Sequence, residues 1–291
     1  MTKGNQLREI LARPGIQVLT GVYDCLGAKL AEKAGFEVAF TSGFGISAAT
    51  LGRPDFGLLT ATETLMSVAN IVGAVDIPVV ADIDTGYGNP LNVYRTVSDV
   101  VRADAGGIIL EDQEWPKKCG HFSGKKVIST AAHVEKIRAA VEATQNSGLV
   151  IIGRTDARAV EGLDAALARG RAYFEAGADV VFIEAPQSVA ELKAIASAFP
   201  DVPIFANMIE GGRTPVLSAK ELEEIGFKIA VFPLTGLFAA TRATLEAFRY
   251  LRAQGTTEGL GEKVTFPDLE QILDVPFYRD LESKFSEDSE D

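Results

Sequence analysis

The sequence predicts an α/β protein built as one (β/α)8 TIM barrel over residues 1–291. Eight short apolar runs, rich in β-branched residues, recur along the chain, and the segments between them carry apolar residues at helical spacing. The composition does not change along these alternations, which argues against two domains. A closed parallel barrel is therefore favoured, and an open doubly wound sheet is the alternative.

The eight apolar runs are the predicted strands. Each is bounded by residues typical of turns and is of a length common for buried parallel strands. In chain order they are Gln17–Tyr23, Glu37–Ser42, Pro78–Ile83, Gly107–Glu111, Leu149–Thr155, Asp179–Glu184, Val202–Asn207 and Lys228–Pro233.

Three of the predicted helices begin with a capping box, in which a hydroxyl and a carboxylate three residues later satisfy backbone donors. These pairs follow the second, sixth and seventh strands, where a barrel requires helices to begin. They are Thr60 with Glu63, Ser188 with Glu191, and Ser218 with Glu221.

Two connections are longer than ordinary strand-to-helix loops. They are Gly43–Leu59 and Asp112–Thr130, and both carry charged or reactive residues, so we expect lids over a site, with residues 112–130 as the catalytic lid. Residues 255–291 form a predicted C-terminal appendage that ends in the acidic sequence FSEDSED, for which a solvated end is expected.

Charge and composition exclude several classes of protein. The net charge of −12 disfavours nucleic-acid binding, and the sequence has neither an apolar run long enough for a membrane span nor a signal-peptide core. Two cysteines make no disulfide framework, so a reducing cytoplasm is expected. Two histidines exclude a multi-histidine zinc site. A cytoplasmic enzyme or a small-molecule-binding protein of the same shape remains.

Every predicted strand ends in polar residues. In a barrel these ends converge on one mouth, where active sites form. One polar strand end is ordinary, since loops begin with polar residues, but eight at one mouth indicate a site. The strand-end residues are Tyr23 and Asp24, Ser42 and Gly43, Asp82 and Asp84, Glu111 and Asp112, Arg154 to Asp156, Glu184, Asn207, and Thr235.

The acidic strand ends predict a magnesium site. Asp82 and Asp84 are two residues apart, so both side chains are expected on one face of the strand, and Glu111 comes from the adjacent strand. Neighbouring carboxylates repel unless a cation lies between them, and oxygen ligands without histidine or thiolate suit Mg²⁺. In the alternative, Asp84 caps a turn and Asp82 pairs with Arg154.

Two features could bind an anionic substrate. Arg154 could hold a carboxylate with two hydrogen bonds, or could form a structural ion pair with Glu184. The segment Ser42-Gly43-Phe44 could present backbone N–H groups at a helix start. The same stretch, GFGISA, also matches a dinucleotide-binding pattern, but it follows the second strand and a long loop displaces the helix that the pattern should open.

The lid sequence Lys117-Lys118-Cys119-Gly120-His121 predicts a reactive thiol. Two lysines and a histidine make the surroundings of Cys119 electropositive, which favours the thiolate. A thiol on a lid can transfer a proton when the lid closes. The alternative is an incidental exposed cysteine. Cys25, at the start of the first barrel helix, is expected to pack.

These motifs together resemble the isocitrate lyase/phosphoenolpyruvate mutase superfamily. The matching segments are SGFGISAATLGRPDFGLLT, ADIDTGYGNPLNVYRTV, ILEDQEWPKKCGH, GRTDA, IEAP and ANMIEGG, in family order over residues 18–245. KKCGH is typical of the lyases. The similarity is closest to 2-methylisocitrate lyases, 2,3-dimethylmalate lyases and petal-death-protein-like lyases. At Phe40 methylisocitrate lyases carry a tyrosine, and this departure weighs against a tricarboxylate substrate.

The resemblance implies a role for each matching residue. Asp82 resembles the direct Mg²⁺ ligand, with Mn²⁺ as a possible substitute, and the acids that would hold its water molecules are Asp55, Asp84 and Glu111. Cys119 resembles the catalytic acid, supported by Lys118 and His121. The residues implied in substrate binding are Ser42, Gly43, Phe44, Asp55, Arg154, Glu184, Asn207 and Thr235. The resemblance also implies a last helix swapped between subunits, in a homotetramer.

The implied reaction is a retro-aldol (Claisen-type) cleavage of a 2-hydroxy-dicarboxylate or tricarboxylate to pyruvate and a carboxylic acid. Tyr23, Asp24 or a metal-bound hydroxide are candidates for the base that deprotonates the hydroxyl. Alternatives on the same scaffold are an oxaloacetate hydrolase or decarboxylase and a phosphonate-metabolising enzyme. A barrel that binds an anionic metabolite without catalysis is a further alternative.

Overall fold

The computed structural model describes residues 1–120, 122 and 124–286, and in this part of the chain eight parallel strands close into a barrel. The predicted role of His121 and the acidic end of the chain lie outside the described residues. The strands are β1 (Gln17–Val22), β2 (Ala39–Thr41), β3 (Val79–Asp82), β4 (Gly107–Glu111), β5 (Val150–Thr155), β6 (Val180–Ile183), β7 (Ile204–Asn207) and β8 (Ile229–Phe232).

The strands pair in chain order, and β8 pairs with β1 to close the barrel. The closing register joins Gln17 to Ile229 and Thr20 to Phe232. The predicted (β/α)8 barrel is therefore confirmed, and the open-sheet alternative is wrong. All eight strands fall within the predicted runs, which extend beyond most of them by one or two residues at an end.

Helices alternate with the strands, as a barrel requires. They are α1 (Lys3–Ala12), α2 (Cys25–Lys33), α3 (Gly43–Ile46), α4 (Ala61–Gly73), α5 (Pro90–Arg102), α6 (Thr130–Thr144), α7 (Leu163–Glu175), α8 (Val189–Ala198), α9 (Ala219–Ile225), α10 (Thr235–Gln254), α11 (Phe266–Ile272) and α12 (Val275–Lys284). A π-helical turn (Ser47–Leu51) continues α3, so the connection predicted as the loop Gly43–Leu59 is partly helical.

Two of the three predicted capping boxes are present, at the starts of α4 and α9. The third prediction is half wrong. Ser188 caps α8 by accepting a hydrogen bond from the Glu191 backbone, but the Glu191 carboxylate accepts from the Gln187 backbone and pairs with Arg158. The Arg158 guanidinium competes for the Glu191 carboxylate that a capping box would use. Arg158 lies far from Glu191 in the sequence, so this competition was not visible there.

The barrel interior is a packed apolar core. Inward-facing residues such as Phe40, Ile109 and Phe205 form one cluster, and Leu7 and Ile10 of α1 belong to the same cluster. Gly107, the first residue of β4, lets Leu7 approach, because a Cβ on Gly107 would lie 3.2 Å from Leu7 Cδ2. α1 therefore closes the amino-terminal end of the barrel and leaves the carboxyl-terminal end for a site.

The chain divides into two compact units, Met1–Leu237 and Phe238–Asp291. In the second unit, every described residue of α10, α11 and α12 is exposed or half-buried, among them Phe248, Phe266 and Phe277. The predicted single domain with an appendage from about residue 255 stays a prediction. Among the described residues, no helix combines the length and apolarity that crossing a membrane requires.

Candidate active site

The polar strand ends surround a small cavity of about 50 Å³ at the carboxyl-terminal mouth of the barrel. The predicted site residues among its lining come from five strand ends and both long connections. The lining residues are Phe40, Ser42, Gly43, Phe44, Asp55, Asp82, Lys117, Cys119, Gly120, Arg154, Glu184, Asn207, Ile209, Pro233 and Leu234. At roughly 10–15 Å³ per water molecule, the cavity admits only a small ligand with the lid in this position.

Asp82 and Asp84 approach each other, but not for the predicted reason. β3 ends at Asp82, and Asp84 lies in the following turn with φ 51°, so strand alternation does not set its direction. The Asp84 backbone N–H donates to Asp82 Oδ1 at 3.1 Å. Gly43 makes room for both, because a Cβ there would lie 2.9 Å from Asp82 Oδ2 and 3.6 Å from Asp84 Oδ1.

These acids are buried and crowded. Burial, and after it the Asp84 carboxylate, raise the pKa of Asp82 to about 6. Burial also raises the pKa of Glu111 well above its ordinary value, although Arg154 acts in the opposite direction. Within the described residues, Glu111 Oε1 has no hydrogen-bond donor. The site therefore holds more carboxylate charge than its own hydrogen bonds compensate.

The donor set fits a hard divalent cation. Its ligands are carboxylate oxygens, and Glu111 Oε1 has a lone pair directed at no donor. Within the described ranges, no three histidine, cysteine or acidic side chains lie close enough to enclose an ion by themselves.

Lys117 is a site residue that the sequence analysis did not select. Its ammonium lies 2.7 Å from Asp55 Oδ2 and 2.6 Å from Asp84 Oδ1. Burial acts to lower the pKa of Lys117, but Asp84 and Asp55 outweigh it and raise the pKa well above the usual value. The pair Lys117-Lys118 was a visible signal, although it did not show which lysine turns inward.

Arg154 is surrounded by acids, as its strand-end position indicated. Its Nε lies 3.2 Å from Glu111 Oε2 and 3.0 Å from Asp156 Oδ2, and a terminal nitrogen lies 3.2 Å from Glu184 Oε2. The ion pair with Glu184 is therefore present, and Arg154 still lines the cavity. Asn207 donates to Glu184 Oε2 at 3.2 Å.

The predicted lid is anchored at both ends and lies over the mouth. Its two arms form a short antiparallel ladder, in which Gln113 pairs with Val127 and the Ile128 backbone donates to the Asp112 carbonyl at 2.9 Å. At the tip, the Cys119 backbone N–H donates to the Asp55 carbonyl at 3.1 Å. The Phe122 ring packs on Phe56 with centroids 5.4 Å apart. The two long connections therefore meet across the mouth.

The thiol of Cys119 is half-buried and lines the cavity, but the neighbouring Lys118 points elsewhere. Lys118 Nζ donates to the Gly124 carbonyl at 3.2 Å on the exposed side of the lid. The Gln113 amide holds the Lys118 backbone in both directions, donating to its carbonyl and accepting from its N–H. The structure therefore brings Lys117 to the site rather than Lys118, whose predicted supporting role stays a prediction.

Besides Lys118, four predicted residues are not part of the cavity lining, namely Asp84, Glu111, Tyr23 and Thr235. Thr235 is exposed and donates its hydroxyl hydrogen to Glu210. Tyr23 packs against Gly45, and burial, followed by Asp24, raises the pKa of its phenol. Ser42 does lie at a helix start, where its hydroxyl accepts from the Gly45 backbone at 3.1 Å.

A buried network behind the site supports the base of the lid. Asp112 accepts hydrogen bonds from the Thr155 hydroxyl at 2.6 Å, the Tyr173 hydroxyl at 2.7 Å and Arg169 at 3.1 Å. Arg169 also donates to the Ile128 carbonyl at 2.8 Å. One guanidinium thus contacts both ends of the lid. Sequence reasoning missed it because Arg169 lies mid-helix, far along the chain.

His133 packs against this network and predicts a pH dependence of stability. It is fully buried, 4.4 Å from the Tyr173 ring, and burial, with Lys136 and Arg169, lowers its pKa to about 3. The unfolded chain takes up a proton below about pH 6.5, whereas the folded protein does so only near pH 3. The free energy of unfolding therefore falls as the pH falls through this window.

We expect His133→Phe to remove this contribution, which amounts to about 2 kcal/mol between pH 6.5 and pH 5. The measurement is urea unfolding of wild type and variant at pH 7.5 and pH 5, both with chelator. The wild type should lose more stability on acidification than the variant. Equal losses would show that His133 is not the titrating group.

Comparisons with known proteins place the chain in a family. The family model described as phosphoenolpyruvate phosphomutase matches residues 7–252. The chain is 41% identical to 2,3-dimethylmalate lyase of Eubacterium barkeri over 98% of this chain and 99% of the relative. It is 43% identical to the petal death protein of Dianthus caryophyllus over 96% and 88%, and 39% identical to 2-methylisocitrate lyase of Bacillus subtilis (strain 168) over 96% and 90%.

Solved structures give the same result. A crystal structure of 2,3-dimethylmalate lyase superposes with a TM-score of 0.93 at 35% identity, over 98% of this chain and 95% of that one. Oxaloacetate acetylhydrolase with 3,3-difluorooxalacetate also gives 0.93, at 32% identity over 97% of each chain. Phosphonopyruvate hydrolase in complex with oxalate and Mg²⁺ gives 0.88 at 30% identity, over 98% and 99%.

Proposed function

The chain belongs to the PEP mutase/isocitrate lyase superfamily, and from this premise we propose that it cleaves a 2-hydroxy-dicarboxylate of the 2,3-dimethylmalate or alkylmalate type to pyruvate and a carboxylic acid. The lyase names of its relatives support the predicted carbon–carbon lyase. One observation carries the proposal, namely that a lid thiol, a crowded carboxylate and a guanidinium (Cys119, Asp82 and Arg154) line the same small cavity.

We propose Mg²⁺ as the metal, or Mn²⁺ in its place. Asp82 would hold it directly, and Asp55, Asp84 and Glu111 would hold its water molecules. When bound, the ion supplies Lewis-acid stabilisation of negative charge on the substrate oxygens. Support comes from the oxygen-only donor set, from the uncompensated carboxylate charge, and from the related phosphonopyruvate hydrolase structure that contains Mg²⁺.

The residues of the chain bind and orient the substrate. Arg154 lies at the cavity wall and can donate to a substrate carboxylate. The Ser42-Gly43-Phe44 segment lines the same wall at the start of α3. In the proposed retro-aldol step, a base takes the proton of the 2-hydroxyl and the C–C bond breaks to leave pyruvate and an enediolate, whose charge Arg154 stabilises. Cys119 on the lid then gives its proton to the carbanion carbon.

Neither side chain suggested as the base is set up for that role. The raised pKa of Tyr23 keeps its phenol protonated at neutral pH, so it can donate a hydrogen bond more readily than accept a proton. Asp24 is exposed and caps α2 by accepting from the Gly27 backbone at 2.6 Å. The catalytic role of Tyr23 stays a prediction, and the proposal assigns the base to neither residue.

The lining of the cavity favours the dicarboxylates. Phe40 lies in this lining and has no hydroxyl for an additional carboxylate. The test is to incubate the protein with Mg²⁺ and, separately, 2,3-dimethylmalate, 2-alkylmalates, 2-methylisocitrate and oxaloacetate. The products to measure are pyruvate, or the longer 2-oxo acid that a longer 2-alkylmalate gives, and the co-product. Pyruvate and a carboxylic acid from a 2-hydroxy-dicarboxylate, lost with chelator, support the proposal. Pyruvate from 2-methylisocitrate alone would show that the substrate is a tricarboxylate and not a dicarboxylate.

Oxaloacetate hydrolysis is the second candidate, because the superposition on oxaloacetate acetylhydrolase is as close as that on 2,3-dimethylmalate lyase. The same incubations separate the two. Oxalate and acetate from oxaloacetate, with no pyruvate from any hydroxy acid, would establish a hydrolase and leave the Cys119 thiol without a role as acid.

We also propose a cytoplasmic homotetramer with exchange of the last helices between subunits. The exposed apolar residues of α10 to α12, such as Phe248 at 65% and Phe277 at 60% exposure, support such an interface. Light scattering on the purified protein is expected to give about four times the chain mass of 31.0 kDa. A monomer at micromolar concentration would contradict the exchange.

A further inference from the structure

Lys125, near the tip of the lid, has its ammonium group inside the barrel mouth. The side chain is 1% exposed, and its Nζ lies 2.7 Å from Asp156 Oδ1. The same ammonium donates to the carbonyl of Gly120, the residue after the lid thiol. Its neighbour Lys126 is exposed. A buried lysine on a lid needs a specific partner, and here that partner is a barrel carboxylate.

Asp156 is shared between this lysine and Arg154. The guanidinium donates to Asp156 Oδ2 at 3.0 Å and to Oδ1 at 3.3 Å, so both cations compete for one carboxylate. Arg154 also faces Glu111 and Glu184. Without Lys125, three carboxylates surround a single guanidinium, and little of its charge remains for an additional anion.

We propose that Lys125 is a positioning residue that makes Arg154 available to the substrate carboxylate when the lid closes. On closure the Lys125 ammonium neutralises part of the negative charge of Asp156. The electrostatic potential at Arg154 then becomes favourable for binding an anion. Its bond to the Gly120 carbonyl holds the backbone beside Cys119 at the same moment. Lid closure and anion binding are then coupled, and by linkage each favours the other to the same extent. This inference rests on the proposed function.

The first test compares Lys125→Met with Lys126→Met, a matched change at the adjacent exposed position. The probe is oxalate with Mg²⁺, a two-carbon dianion suited to a cavity of this size. We expect Lys125→Met to weaken oxalate binding by about 30-fold or more, the lower end of the range for breaking a buried charge pair, and Lys126→Met to leave it unchanged. Equal affinities in the two variants would overturn the proposal.

The second measurement reports the lid directly. The sequence has one tryptophan, Trp115, which lies in the lid with its ring 5.8 Å from that of Tyr87. Oxalate should protect Trp115 from acrylamide quenching in the wild type and in Lys126→Met, and much less in Lys125→Met. This readout needs no turnover. A wild-type protein whose Trp115 does not respond to oxalate would overturn the coupling, whatever the substrate assays give.

A double-variant cycle separates this role from a purely structural one. If Lys125 acts through Asp156, then Lys125→Met combined with Asp156→Asn should bind oxalate no more weakly than Asp156→Asn alone. If the loss of oxalate affinity in the double variant equals the product of the losses in the two single variants, Lys125 serves only to hold the loop. Lys125→Arg, which keeps the charge, should retain most of the oxalate affinity. If Lys125→Met unfolds, the arginine variant and the double variant still decide between the two roles.

Discussion

Replacing Cys119 by serine is expected to lower kcat by about 10²- to 10⁴-fold, the contribution of a positioned general acid. Serine keeps the size of the side chain, but its hydroxyl is a much weaker acid than a thiol. The lid should still close, because its backbone contact to Asp55 and its anchor at Lys125 do not involve the thiol. The measurement is steady-state turnover of the substrate that the incubations identify.

Cys25→Ser is the matched control for this prediction. Cys25 is the first residue of α2, is half-buried like Cys119, and is not part of the cavity lining. It should keep full turnover, and both variants should show wild-type circular dichroism and Mg²⁺ binding. Turnover of Cys119→Ser at the wild-type rate would rule out the thiol as the acid.

Asp82→Asn is expected to abolish metal-dependent activity and to weaken Mg²⁺ binding by more than about 100-fold, since changes behind a metal ligand already cost 10- to 100-fold. The amide keeps the shape but removes the charge that faces the ion. Without metal, the variant should be at least as stable as the wild type, because it removes a buried charge next to Asp84. Calorimetric titration with Mg²⁺ and thermal unfolding in chelator measure the two effects.

The control is Asp76→Asn, the same change at an exposed position before β3. It should bind Mg²⁺ and turn over substrate as the wild type does. Wild-type Mg²⁺ affinity in Asp82→Asn would place the metal elsewhere, and Glu111 or Asp84 would then be the residues to change next.

The strands and the mouth of the barrel were predictable from the sequence because their signals are local. A run such as Gly107–Glu111 carries its apolar core and its polar end within five residues, and parallel closure then brings all such ends together. The positions of Asp82 and Glu111 at the mouth followed from the same argument. The approach of Asp84 to Asp82 could not be predicted in this way. It depends on the left-handed backbone conformation of Asp84, which lies in a turn where side chains do not alternate regularly.

The lid residues were harder to assign because their directions depend on distant contacts. Lys117 and Lys118 are alike in sequence, but Gln113 holds the backbone of Lys118 and the Asp55–Asp84 pair attracts Lys117. Lys125 gave no signal at all, because its partner Asp156 lies 31 residues away. Helices and strands have a regular side-chain period, but an irregular loop has none. The sequence of a loop therefore does not tell which of its side chains turns inward.

The closed amino-terminal end of the barrel has a consequence for the order of events in a reaction cycle. α1 and the packed interior fill that end, so molecules enter and leave by the mouth under the lid. Two products formed there must leave through the same opening, the carboxyl-terminal mouth of the barrel. The fragment nearer the lid has to leave before the fragment that lies deeper in the barrel can follow. The products therefore dissociate in an order that is set by how deeply each lies in the barrel.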